Sequence, residues 1–160
     1  MKHYRSVLIL VNTLLVIGFI LFSVIKKEGI RNHGNMVLIP LAPADPRSLF
    51  QGDYMILRYD WNEISSDTMP SRGCIVFSLS KDNILSLVRF SEVGAERKSG
   101  EHCLKYFKHD YDIRIGAESF FFEEGKGEVF EEAKFAGVRV DESGDKLLVG
   151  LYDKDRKELK

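Results

Sequence analysis

The stretch Asp45-Pro46-Arg47-Ser48-Leu49-Phe50-Gln51-Gly52-Asp53-Tyr54-Met55-Ile56-Leu57-Arg58-Tyr59 decides the fold. Pro46, with Pro40 and Pro43 before it, removes backbone donors, so this lead-in stays extended or turned. Gly52-Asp53 then reads as a tight turn. From Tyr54 onward the pattern has period two. Met55, Leu57 and Tyr59 share one face, and Tyr54, Ile56 and Arg58 share the other.

The same rhythm runs through the rest of the chain. Met36 to Leu41 reads as a first strand. Trp61 to Ser71 is a connector closed by Pro70, with room for one helical turn. Two hairpins follow, Cys74–Ser80 with Ile84–Phe90, and Cys103–Phe107 with Tyr111–Ile115. Their turns are Lys81-Asp82-Asn83 and Lys108-His109-Asp110. Glu92 to Glu101 is a charged, Gly-containing surface loop. Phe120-Phe121-Phe122 must send at least one ring outward if it forms a strand. Gly127 to Lys134 has helical composition. Val138–Val140 and Leu147–Tyr152 make a third hairpin about Ser143-Gly144-Asp145. The expected fold is mainly β: a small antiparallel β-barrel or curved sheet with one short helix.

An N-terminal transmembrane helix precedes this domain. Val7 to Ile25 carries no charge, and only Asn12, Thr13 and Ser23 are polar. At ~1.5 Å per residue it matches the ~30 Å hydrocarbon core. Lys26-Lys27-Glu28 follows it in place of a small-residue cleavage site, and no Cys lies near its end, so an uncleaved anchor is favoured over a signal peptide. The expected organisation is an anchor with flanks at residues 1–27, a polar tether at 28–35, a β-rich domain at 36–153, and a frayed, charged tail at 154–160. Lys2 and Arg5 nearly balance Lys26, Lys27 and Arg31, so charge alone leaves the orientation open.

Residues 1–29 hold four of the 23 basic and one of the 24 acidic residues, which leaves the remainder at a formal charge of −4. With no basic stripe, nucleic acid is not an expected partner. Cys74 and Cys103 are the only cysteines, far from C-x-x-C spacing. A structural disulfide and two unpaired buried thiols stand as equal alternatives, because geometry decides between them.

Gly52, Asp53, Tyr54, Leu57 and Tyr59 fill all five fixed positions of a GDYxxLxY pattern. Asp45-Pro46-Arg47-Ser48-Leu49 looks like the lead-in that accompanies it. Phe120-Phe121-Phe122-Glu123-Glu124-Gly125 looks like a Phe-rich element, and Leu147-Leu148-Val149-Gly150-Leu151 like a closing strand. In that order these elements resemble the GDYXXLXY family of bacterial membrane-anchored proteins, which carries no assigned activity. The resemblance implies an exported domain on the bacterial inner membrane, facing the periplasm or exterior.

The chemistry-bearing residues are few. Asp45, Arg47, Ser48, Gly52, Asp53, Tyr54, Leu57 and Tyr59 form the candidate site. Arg47 offers an anion fork there, although an Asp–Arg clamp on the turn is favoured over a ligand site. Tyr54 and Tyr59 are candidates for a groove edge, with core or interface packing the commoner use of strand aromatics. Type I signal peptidases also place strands and a G-D pair after a membrane anchor. Alignment on Leu49 and Gly52-Asp53 puts Ala44 where their nucleophilic serine stands and Arg89 near their lysine. An arginine does not lose its proton, so that catalytic pair is missing. Ser48 as a displaced nucleophile lacks a neighbouring base. His33, His102 and His109 are scattered, and His102-Cys103 has no second ligand pair, so no metal is expected. Glu123-Glu124 and Glu131-Glu132 read as solvated charges. Gly125-Lys126-Gly127 lacks P-loop spacing, and no cofactor is expected.

The expectation is therefore a non-catalytic accessory or assembly module for a polytopic membrane protein. The alternatives are a signal-peptidase-like hydrolase with unorthodox residues, or a small-anion or carbohydrate-binding module.

Overall fold

The computed structural model describes residues 2–42, 54–61, 69–109 and 112–160, with side chains from Tyr4 onward. Helix α1 runs from Lys2 to His33. Its 32 residues span about 48 Å at the α-helical rise, more than a bilayer core requires. It is long and apolar enough to cross a membrane, and 0% of its apolar window is buried in the protein. A core helix of a soluble protein would instead have its apolar stripe covered.

The segment read as a tether, residues 28–35, is instead mostly the last turns of α1. Ile30 lies in that extension and is buried. The helix ends at the His33-Gly34-Asn35 turn signal, where the Gly34 N–H donates to the Ile30 carbonyl at 2.8 Å.

Strand β1 (Asn35–Pro40) follows directly. It pairs antiparallel with β8 (Phe135–Val140), which pairs with β9 (Lys146–Tyr152), giving the order β1-β8-β9. A second ribbon joins β2 (Tyr54–Ile56) to β7 (Ser119–Phe121). The two are stitched together by the Leu41–Tyr59 bridge and by the Ala42 N–H to the Arg58 carbonyl at 2.8 Å. The third sheet has the order β4-β3-β5-β6, with β3 Arg72–Leu79, β4 Leu85–Ser91, β5 His102–His109 and β6 Asp112–Arg114. A parallel bridge from Leu38 to Ile84 ties it to β1. The result is a curled half-barrel with one short helix, α2 (Gly127–Glu131).

All three expected hairpins form, but in the second Lys108 and His109, expected in the turn, belong to β5 and pair with Ile113 and Asp112. In the first turn Asn83 takes φ 59°, a left-handed conformation that asparagine tolerates. The core is drawn from the inward positions: Val37 and Ile39 of β1, Ile75 and Phe77 of β3, Leu104 and Tyr106 of β5, Val138 of β8 and Leu151 of β9. β3 is buried on both faces, since Cys74 and Val76 form a second small cluster with Cys103. Phe130 of α2 packs edge-on to Phe120, with ring centroids 5.2 Å apart, and against Phe122 at 4.9 Å.

The tail is not frayed. Asp153 accepts from the N–H groups of Asp155 and Lys157, Tyr152 bridges to Glu158, and Leu159 packs on the core. An Asx-type turn at Asp153 reverses the chain and returns one apolar residue to β9. The charges of 154–160 hid that single anchor.

Candidate functional site

The described part of the GDYxxLxY element is built by burial. Met55, Leu57 and Tyr59 are all buried, whereas Ile56 and Arg58 face solvent and Tyr54 is half-buried, as the alternation requires. The ladder with β7 ends at Ile56 because the next residues turn to other partners. The Leu57 N–H donates to the Glu118 carbonyl at 2.7 Å. The Tyr59 hydroxyl donates to the Ala117 carbonyl. Burial, with Glu118 nearby, pushes the Tyr59 phenol well above its ordinary pKa, so it stays a neutral donor. Leu57 and Tyr59 thus hold two consecutive carbonyls of the β6–β7 connection.

That connection is itself fixed. Gly116 takes φ 75° and allows the chain to reverse. The Glu118 carboxylate accepts from the N–H groups of Ile115 at 2.6 Å and Gly116 at 2.9 Å. The sequence reading missed Ala117 and Glu118; Gly116 was the only signal that a turn with a local acceptor stood there.

The opposite face of the ribbon is apolar and, among the described residues, largely exposed. Tyr54 and Phe121 are register partners with ring centroids 5.5 Å apart. Phe121 is 71% exposed and Ile56 54% exposed. Of the three consecutive phenylalanines, the middle one points outward while its neighbours pack on Phe130. The Trp61 ring lies tilted beside that of Tyr59, with centroids 5.7 Å apart. Asp45, Arg47, Ser48, Gly52 and Asp53 lie outside the described residues.

Cys74 and Cys103 form a disulfide, with Cα atoms 5.5 Å apart. β3 and β5 place them diagonally, Cys74 opposite Lys105 and Cys103 opposite Val76. The β8–β9 turn lies over this bond: a Cβ at Gly144 would sit 2.8 Å from the Cys103 sulfur. Gly144 takes φ 83°, so two requirements select glycine there.

The same turn carries a charged joint that the sequence reading missed. Asp145 pairs with Lys105 of β5 at 2.8 Å and with Lys26 of α1 at 2.5 Å. Those hydrogen bonds, Lys105 first and then Lys26, hold its carboxyl down at about 2. Lys27 donates to the Lys146 carbonyl at 3.3 Å, and Arg139 of β8 donates to the Gly34 carbonyl at 2.9 Å. Lys146 is partly buried and donates to the Lys105 carbonyl at 2.7 Å; desolvation lowers its pKa. Helix α1 is thereby docked against the β8–β9 hairpin. In the sequence Asp145 shows only as a turn residue.

Other candidates have structural partners. Arg89 of β4 pairs with Glu101 at 2.6 Å and donates to the Glu96 carbonyl, so it braces the 92–101 loop. That contact holds the Glu101 carboxyl at about 2. The His102 ring lies 5.5 Å from the Phe77 ring. Glu123 pairs with Lys126. Among the described residues no group of three or more His, Cys, Asp or Glu side chains is placed to hold a metal ion.

No curated protein and no solved structure matches the chain. A family model described as GDYXXLXY protein matches residues 16–151, from the middle of α1 to the penultimate residue of β9. The match takes in the Tyr54 to Tyr59 segment, the Phe-rich β7 and the closing hairpin that docks on the helix, and on that evidence the chain belongs to the GDYXXLXY family.

Proposed function

We propose that the protein is a single-pass, non-catalytic accessory or assembly module of the bacterial inner membrane, with its β domain facing the periplasm or exterior. The observation that carries this reading is the joint between α1 and the β8–β9 hairpin. Ile30, Gly34 and the Lys26–Asp145 ion pair leave no slack between the apolar segment and the domain. A domain held so close to the membrane presents its surfaces at a set height and angle. That arrangement suits a module that meets the exposed part of a neighbouring membrane protein. The Tyr54–Ile56–Phe121 face supplies an uncovered apolar surface for it.

The non-catalytic part is supported by Ala44, where a signal peptidase would carry its serine, and by Arg89, which is occupied by Glu101. Site-specific photocrosslinking in cells tests the reading. A crosslinker at Phe121 is expected to give one discrete adduct with a polytopic membrane protein, and one at the exposed Ser86 none. Labelling of Ser48 by a reactive-serine probe would overturn the non-catalytic assignment in favour of a hydrolase.

A further inference from the structure

We propose that the junction of α1 with the β domain is a binding site for one anionic phospholipid. An open cleft of about 470 Å³ lies where the helix passes the start of β9. Its lower part is apolar apart from Ser23, with Phe19, Ile20 and Val24 from the helix, and Leu147 of β9 also lines it. Its upper wall carries Lys27 and Arg31. The inference rests on the anchor reading, because only a membrane-spanning α1 places Phe19 to Val24 at the level of acyl chains.

The vertical order of the residues fits this occupant. Ile20 and Lys27 are separated by about 10 Å along the helix axis, at the α-helical rise. Acyl carbons against Ile20 and Val24 therefore leave a phosphate at the height of Lys27 and Arg31. Lys27 commits a donor to the Lys146 carbonyl, and an ammonium has three. Arg31 meets Glu28 only at 3.9 Å, with its side chain 66% exposed. The cleft thus holds two cations against the Glu28 carboxylate, which also accepts from Asn32. A second copy of the helix on this face would bring the same two cations together, which disfavours self-association here. A zwitterionic lipid would add a positive group beside them. An anionic headgroup complements the site.

Native mass spectrometry of the full-length protein in detergent, titrated with phosphatidylglycerol or phosphatidylcholine, tests the site. The wild type is expected to bind phosphatidylglycerol more tightly. Lys27→Gln with Arg31→Gln should lose about fivefold per cation removed. Arg5→Gln, at the opposite end of the helix, should bind as wild type. Arg31→Gln alone leaves the Lys27–Lys146 contact intact and carries the test if the double variant unfolds. Equal binding of both lipids by wild type, or unchanged phosphatidylglycerol binding by Arg31→Gln, would overturn the proposal. Release of the wild type from membranes by carbonate would instead overturn the anchor reading, so the two failures are distinguishable.

Discussion

Asp145, in the turn of the β8–β9 hairpin, is ion-paired with Lys26, the first charged residue after the apolar run of α1. The same carboxylate holds Lys105 of β5, and Gly144 beside it lies over the Cys74–Cys103 bond. Helix α1, the hairpin and the disulfide-bonded sheet therefore meet within two residues of one turn.

This joint should weaken in acid. The Asp145 carboxyl is held at about 2 by Lys105 and Lys26, below its ordinary 3.8. A depressed carboxylate contributes stability that is present above the unfolded-state pKa and is lost as pH falls through the folded one. Melting temperature should therefore fall between pH 4 and pH 2. Asp145→Asn should be less stable at pH 7 and show a shallower fall, with Glu101, held down by Arg89, and Glu123, held down by Lys126, contributing to the remainder. Superimposable profiles of the two proteins would show that the joint contributes nothing.

Tyr59→Phe removes the hydroxyl that donates to the Ala117 carbonyl. Loss of one buried hydrogen bond with its acceptor left in place costs about 1–2 kcal/mol. Ring packing against Trp61 should persist, so denaturant unfolding should show a lower midpoint with an unchanged slope. A wild-type midpoint would mean that the motif tyrosine is not a clamp.

Two glycines at the C-terminal end of α1 should behave oppositely. A Cβ at Gly34 would lie 2.5 Å from the Ile30 carbonyl oxygen and 3.2 Å from the Val140 nitrogen, both backbone atoms, whereas a Cβ at Gly29 meets nothing within 4 Å. Gly34→Ala should destabilise by about 1–3 kcal/mol, through overpacking that backbone cannot relieve cheaply. Gly29→Ala should be neutral or stabilise by up to about 1 kcal/mol, since alanine favours helix. Thermal melts of the two variants side by side check the docked geometry of α1.

The disulfide predicts no free thiols in protein taken from membranes without reduction. Cys74 and Cys103 are 29 residues apart, and in the chain-entropy model a loop of that size stabilises by about 3–4 kcal/mol. Alkylation before and after reduction, followed by melting of each form, measures both quantities.

The strands were legible because their signals are local. Met55, Leu57 and Tyr59 alternate with polar or exposed neighbours, and Lys81-Asp82-Asn83 and Ser143-Gly144-Asp145 mark turns by composition. The pairing of β2 with β7 was not legible, since Tyr54 and Phe121 are far apart in sequence and neither names its partner. The end of α1 was hidden for a different reason. Lys26 to His33 is polar enough to read as a tether, and only the burial of Ile30 and the contacts of Lys26 and Lys27 show why it stays helical. Leu159 had the same effect at the other end, one apolar residue within a charged tail. Of the candidate site, Leu57 and Tyr59 were identified by position, but their carbonyl partners Ala117 and Glu118 lie in a turn whose fold depends on Gly116.

The arrangement we propose is an exported domain fixed to the membrane by its own uncleaved helix. Its most direct test is protease treatment of intact spheroplasts carrying the full-length protein with an epitope tag after Lys160, followed by carbonate extraction. The account predicts that the tag is removed by external protease while the remaining chain, with its original amino terminus, stays in the carbonate-washed membrane pellet. A tag protected until the membrane is broken, or a soluble domain beginning near Lys26, would contradict it.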